Sequence, residues 1–187
     1  MADVKILAAF IKSWEGVFSN DKDDKGGATM CGVTINTYTQ YCRKKGKPAP
    51  TVSDLMRISE EEWFDILKTL YWDPWKADEI KSQAVANICV NWGWGAGTVS
   101  AIKAVQSAFG LKPDGVVGPM TLAALNKFNK QYEYRFVFNR IKAERAQQLL
   151  TAAKSANNSK YIDGWLRRWE AFGYDRLVKA RGGEITW

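Results

Sequence analysis

A mainly α protein with one small β-hairpin near its N-terminus is what this sequence predicts, on three observations. Apolar residues recur at helical spacing through most of the 187 residues. Residues able to cap a helix stand at the starts of those segments, and Gly or Pro at their ends. Only residues 17–34 lack the helical period and read instead as loop and short hairpin.

Each element has a local reason. Asp3 is a plausible N-cap, and Ile6, Leu7, Phe10, Ile11 and Trp14 follow at helical spacing until Gly16. Asn36 can cap a second helix to about Lys45, stopped by Gly46, Pro48 and Pro50. Ser59 with Glu62 forms a capping-box pattern opening a helix through Phe64, Leu67 and Tyr71, which Asp73-Pro74 ends. A helix from Ser82 to about Asn91 carries Val85, Ile88 and Cys89 on one face, and Gly93, Gly95 and Gly97 break it. Thr98 caps the next, Val99 to Phe109, closed by Gly110. Asp114-Gly115 and Gly118-Pro119 are tight turns, and Pro119 suits the first turn of a short helix to Leu125. The longest periodic segment is 130–153, with Phe136, Ile141, Ala146 and Leu149 as core markers. After a polar break at 155–160, Asp163 begins a final helix carrying Trp165, Trp169, Phe172 and Leu177.

Composition narrows the function. The absence of His removes His-based triads, His general bases and most zinc sites. Cys31, Cys42 and Cys89 have no metal-ligand spacing, and an odd count argues against a disulfide framework, so reduced thiols are expected. No metal and no cofactor are implied. The N-terminal residues MADVKILAAFIK contain an acidic Asp3 and a broken apolar run, unlike a signal peptide, and no window is long and apolar enough to span a bilayer. Synthesis in the cytoplasm without a visible export signal is therefore expected. The net charge of +7 attracts polyanions, whether nucleic acid, anionic membrane or cell wall. The basic residues are scattered, which is weak support for nucleic-acid binding. Nine Trp give the chain many flat faces suited to sugars, although a Trp more often fills a core.

Glu15 is the residue that most invites a chemical reading. It sits on the firm end of the first helix, beside a turn-rich segment able to line a cleft. Cutting a glycosidic bond needs a positioned, partly desolvated proton donor, and Trp14 or Phe18 could desolvate this one. Eight residues separate it from Asp24, and four more separate Asp24 from Thr29. Asp24 would stay ionised to stabilise an oxocarbenium-like transition state or orient a water, which Thr29 would help to hold. Asp21 can substitute for Asp24, and either can be simply solvated. Asp21, Asp23 and Gly26 superficially suit a calcium loop, but the closing bidentate Glu is missing. Thr29 is equally suited to a turn.

Asn91 could hydrogen-bond an N-acetyl group or serve as a helix C-cap. Tyr71 and Trp72 could line a sugar groove or lie in the core. Trp92 and Trp94, set among glycines, are the better stacking candidates, whereas Trp165 and Trp169 mark a core-facing stripe.

Taken together, Glu15-Gly16, Asn20-Asp21, Asp24, Gly26-Gly27-Ala28-Thr29 and Gly32-Val33-Thr34 resemble the start of the glycoside hydrolase family 108 muramidases, the phage endolysins and "secretion activator" enzymes. Tyr71-Trp72-Asp73-Pro74 and Val90-Asn91-Trp92-Gly93 extend the resemblance. The run from Ala104-Val105-Gln106 through Gly110-Leu111 and Asp114-Gly115-Val116-Val117-Gly118-Pro119 to Leu125 resembles that family's predicted peptidoglycan-binding region. Val17 stands where the family usually has a second Gly, and Cys31 and Val33 where it has Tyr and Ile. The glycines and the acid are retained.

The resemblance implies a lysozyme-like helical fold with a catalytic region at 1–97. A helical region at 98–187 would hold the wall-binding segment, the two packed as one globular unit. It also implies cleavage of the β-1,4 bond between N-acetylmuramic acid and N-acetylglucosamine in bacterial peptidoglycan. The scattered charge and the lack of a long apolar window lead to an expectation of no nucleic-acid partner and no stable membrane insertion. A monomer is expected. Two rivals remain at this point. One is a lytic transglycosylase, in which the muramyl 6-hydroxyl replaces water. The other is a non-catalytic wall-binding or secretion-accessory protein, in which Glu15 is idle.

Overall fold

A computed structural model describes residues 2–20, 27–127, 131–154 and 159–187. It is mainly helical. The first helix, α1 (Val4–Trp14), is capped by Asp3, whose carboxylate accepts from Lys5 N, and it buries Leu7, Phe10 and Ile11 completely. Short strands β1 (Phe18–Ser19), β2 (Thr29–Met30) and β3 (Val33–Thr34) form an antiparallel sheet in that order. It pairs Phe18 with Met30 and Met30 with Val33. The turn between β2 and β3 needs left-handed backbone at both Cys31 (φ 47°) and Gly32 (φ 80°). The expected single hairpin is thus a three-stranded sheet.

Helix α2 (Ile35–Lys44) is capped by Thr34 rather than Asn36, because the strand delivers Thr34 in extended conformation with its hydroxyl on Thr37 N. Helix α3 (Val52–Met56) opens with a complete capping box between Thr51 and Asp54, and its five residues are too short to show a periodic pattern. Ser59 caps α4 (Glu60–Leu67), accepting from Glu62 N. The expected box is only half made, since the Glu62 carboxylate accepts from Tyr38 and Lys47 instead. The chain then widens into a π-helical turn over Lys68–Trp72 and tightens into a 3₁₀ turn at Asp73–Trp75.

Helix α5 (Gln83–Ala96) corrects the expected break at the glycine cluster. It runs through Gly93 and Gly95 and ends only at Gly97, whose φ of 84° no helix can continue. Ten consecutive residues from Ala84 to Gly93 are buried, and that packing outweighs the cost of about 1 kcal/mol per helical glycine. Helix α6 (Thr98–Ala108) follows at once, and Thr98 Oγ1 donates to Leu70 O, 3.1 Å away, instead of capping.

Helices α7 (Pro119–Leu125) and α8 (Gln131–Ala153) fall where expected. Phe136, however, is 61% exposed and is not a core residue, unlike Ile141 and Leu149. The last helix, α9 (Ile162–Glu170), stops short of Phe172 and Leu177. Those two side chains are fully buried, but Leu177 lies in β4 (Arg176–Val178), which pairs with β5 (Glu184–Thr186). Both assignments put Leu177 inside; periodicity alone did not separate a helix from an apolar strand.

One continuous core runs from Ala2 to Leu177, with Trp72, Trp75, Trp92, Phe10 and Phe172 as its largest fully buried side chains. The C-terminal hairpin closes on α1. Phe10 and Phe172 meet edge-on with ring centroids 4.4 Å apart, and Trp14 Nε1 donates to Val178 O over 3.1 Å. That staple fixes the end of α1, and so the backbone of Glu15.

The 111–118 loop is held by one buried side chain. Gln106 Nε2 lies 2.8 Å from Asp114 Oδ1, 2.9 Å from Val116 O and 3.2 Å from Thr121 Oγ1, and its Oε1 accepts from Gly115 N at 2.9 Å. Gln106→Leu fills the same space and leaves buried polar groups without partners. We expect a loss of about 3 kcal/mol, read as a fall of about 6–12 °C in thermal midpoint. An unchanged midpoint would show that the loop holds itself.

Candidate active site

Glu15 ends α1 as its C-cap, with φ −87° and ψ 140°, and its amide still bonds Ile11 O. The extended turn aims the side chain away from the helix axis, under α5 and α9. There Oε1 accepts from two donors, Trp94 Nε1 at 2.9 Å and Arg168 Nη1 at 2.6 Å. Arg168 Nη2 also donates to Asn91 Oδ1 at 3.2 Å, so one guanidinium bridges the acid and the amide. The Glu15 and Arg168 side chains are 16% and 23% exposed, and Asn91 is buried. Oε2 accepts no hydrogen bond among the described residues and stands over Gly32. A Cβ at Gly32 would lie 2.5 Å from Glu15 Cδ.

Two concavities flank this group. A cleft of 680 Å³ is lined by Thr37, Tyr71, Trp94 and Lys76 on one side and by Val99 and Val116 on the other. A cavity of 340 Å³ lies between α5, α8 and α9, with Asn91 and Arg168 in its wall. The acid thus sits where Trp94, of the first concavity, meets Arg168, of the second. Tyr71 and Trp94 pack with ring centroids 4.8 Å apart, and Trp63 supports Trp94 from 5.6 Å. Burial raises the Tyr71 hydroxyl above the usual phenol range, partly offset by its hydrogen bond to Thr37, with the nearby Glu15 charge adding to the rise.

The sequence candidates separate cleanly. Tyr71 and Trp94 line the cleft. Trp72 and Trp92 do not: Trp72 is 0% exposed with its indole N–H on Asp78 Oδ1, and Trp92 is 1% exposed. Trp92 and Trp94 are two residues apart on α5, about 200° around the helix, so they face opposite ways. Asn91 is inside α5, not at a C-cap, and its oxygen is held by Arg168. Thr29 lies in β2 and donates to Gly27 O at 3.2 Å. Asp24, Asp21 and Asp23, with the calcium-loop reading, lie outside the described residues. Trp14, a candidate neighbour for the acid, spends its N–H on Val178. Trp169 is buried, as a core stripe requires, but Trp165 lines the smaller cavity.

Comparison with known proteins bears on this arrangement. The model of "Glycosyl hydrolase 108" matches residues 8–97. Residues 8–97 are thus similar to glycosyl hydrolase family 108. A second model, "Predicted Peptidoglycan domain", matches residues 100–170. A solved structure from Brucella abortus, SagA, superposes with a TM-score of 0.72 at 24% identity, covering 90% of this chain and 91% of that one. That likeness establishes a shared fold. No curated protein matches the sequence.

The chain therefore joins a segment similar to glycosyl hydrolase 108 to one similar to a predicted peptidoglycan domain. The glycosyl hydrolase 108 segment contributes Glu15, Asn91 and Trp94, whereas Arg168 comes from the peptidoglycan segment. The two matched segments are joined by a partly buried ion pair. Arg168 was not singled out by the sequence. It is one of 27 Lys and Arg, and 153 residues separate it from its partner. Its i,i+3 spacing from Trp165, with Trp169 next to it, places it at the edge of an aromatic stripe, which was the one available signal. Arg168→Lys keeps a charge but cannot bridge Glu15 and Asn91 with a planar fork. We expect turnover about tenfold lower with the fold intact, as the carboxylate loses its fixed position. Digestion rate and a melting curve, measured together, check it.

Proposed function

We propose that the protein is an N-acetylmuramidase that cleaves the β-1,4 bond between N-acetylmuramic acid and N-acetylglucosamine, with Glu15 as general acid. The observation that carries this is the placement of Glu15. Oε1 is fixed by the Trp94 and Arg168 donors, and Oε2 carries no protein partner among the described residues. In the protonated state, both donors remain satisfied by Oε1, and the proton on Oε2 is free to pass to the leaving glycosidic oxygen. Tyr71 and Trp94 offer aromatic faces along the cleft for sugar rings. The ionised second carboxylate in this reading is Asp24, with Asp21 as the substitute, assisted by Thr29. The charge of +7 favours docking to an anionic wall. The protein acts on the wall as a monomer, needing no cofactor.

Digestion of purified peptidoglycan, with mass spectrometry of the products before and after borohydride reduction, tests the proposal. Muropeptides ending in reducing N-acetylmuramic acid are expected. Products ending in reducing N-acetylglucosamine would move the cut to the other bond. Anhydro-muramyl ends would make the enzyme a lytic transglycosylase.

A further inference from the structure

The smaller cavity holds a cation for which the described residues supply no anion. Its wall brings together Asn91 and Gly95 of α5, Arg145 and Leu149 of α8, and Trp165 and Arg168 of α9. Arg168 is neutralised by Glu15 over 2.6 Å. Arg145 makes no ion pair among the described residues, and its one described partner is the face of Trp92, 5.7 Å from its guanidinium carbon. Its Nη2 reaches across the cavity wall to within 3.9 Å of where a Cβ on Gly95 would stand.

A cation–π contact returns only part of what a half-buried guanidinium loses on leaving water. Burial lowers the Arg145 guanidinium to about 10, with no neighbouring anion among the described residues to offset it. The surroundings suit an organic acid rather than a bare ion. The Trp165 indole and Leu149 offer apolar contact beside the charge, and 340 Å³ is room for a short peptidyl or sugar acid.

We propose that this cavity is a carboxylate-binding subsite in which Arg145 anchors an acidic group of the wall polymer by a bidentate guanidinium–carboxylate contact. The site rests on Arg145 and the cavity; the source of the acid rests on the wall-hydrolase reading above. Peptidoglycan carries two sources. One is the peptide stem, and the other is the lactyl carboxylate exposed where a stem has been removed. The cavity adjoins the Glu15–Arg168 pair, so an acid held there would register the muramyl unit beside the acid catalyst.

Binding of three probes by titration calorimetry tests this on the full chain: N-acetylmuramoyl-L-alanyl-D-glutamate, free N-acetylmuramic acid and neutral N-acetylglucosamine. None contains a bond the enzyme could cut. Wild type should bind at least one acid about tenfold more tightly than the neutral sugar, and which acid binds identifies the source. Arg145→Gln should lose that preference and Arg145→Lys should recover part of it. On intact or stem-stripped strands, whichever carries the preferred acid, Arg145→Gln should raise KM with kcat little changed.

Equal affinity of wild type for all three probes would overturn the subsite without recourse to any variant. So would acid binding by Arg145→Gln at the wild-type level. If wild type prefers an acid yet releases no muropeptides, the subsite stands and the muramidase reading falls. If wild type cleaves normally but shows no acid preference, the reverse holds.

Discussion

Glu15→Gln is expected to cut peptidoglycan digestion by roughly a thousandfold, the range for removing a positioned general acid. The amide is isosteric and cannot deliver a proton to the leaving oxygen. Its carbonyl still accepts from Trp94 Nε1, so the geometry of α5 against α1 is retained. Arg168 loses its carboxylate, however, and a charge-assisted bond at 2.6 Å becomes a neutral one. Stability should fall by about 1–2 kcal/mol. The check is a digestion time course on purified sacculi beside a circular-dichroism melt. A variant that melts normally and keeps more than a few per cent of the rate would put the acid elsewhere, and the proposed mechanism with it.

Gly32→Ala should be nearly as severe, without removing any polar atom. The new Cβ would sit 2.5 Å from Glu15 Cδ and 2.6 Å from Oε2, so the carboxylate must move. It cannot move freely, since Arg168 and Trp94 hold Oε1. A displacement on the order of 1 Å at a reacting group costs about a hundredfold in rate. Left-handed backbone at φ 80° adds about 1–2 kcal/mol of strain for alanine. Gly110→Ala is the matched control. Its φ is 70°, and nothing lies within 4 Å of its added Cβ. Both variants should lose similar stability, and only Gly32→Ala should lose turnover. Parallel losses of activity in both would mean that backbone strain, and not contact with Glu15, governs the rate.

Much of the fold was legible because helices advertise themselves locally. The Asp3 cap, the Ser59–Glu62 start and the Pro119 start all appear where their chemistry requires. The failures share a cause in packing. Gly93 and Gly95 look like breakers, yet the buried face of α5 carries the helix past them. Leu177 fits the period of α9 but belongs to a hairpin, where it pairs with Ile185 and stays buried. Trp72 and Trp92 are as aromatic as Tyr71 and Trp94, and only the rotation of their helices separates core from cleft.

The sequence by itself determined the helical class, the small sheet before residue 35 and the candidate acid, since each is written in neighbouring residues. It also carried the likeness to two family models, through short motifs that survive as local pattern. Tertiary structure alone decided what surrounds that acid. Arg168 reaches Glu15 across 153 residues, and Trp94 reaches it across 79. Arg145 is left facing a cavity with no carboxylate partner among the described residues. Charge pairing depends on distance in space, weakening as the inverse of separation and screened beyond about 10 Å. Sequence spacing carries no information about it until the core has closed.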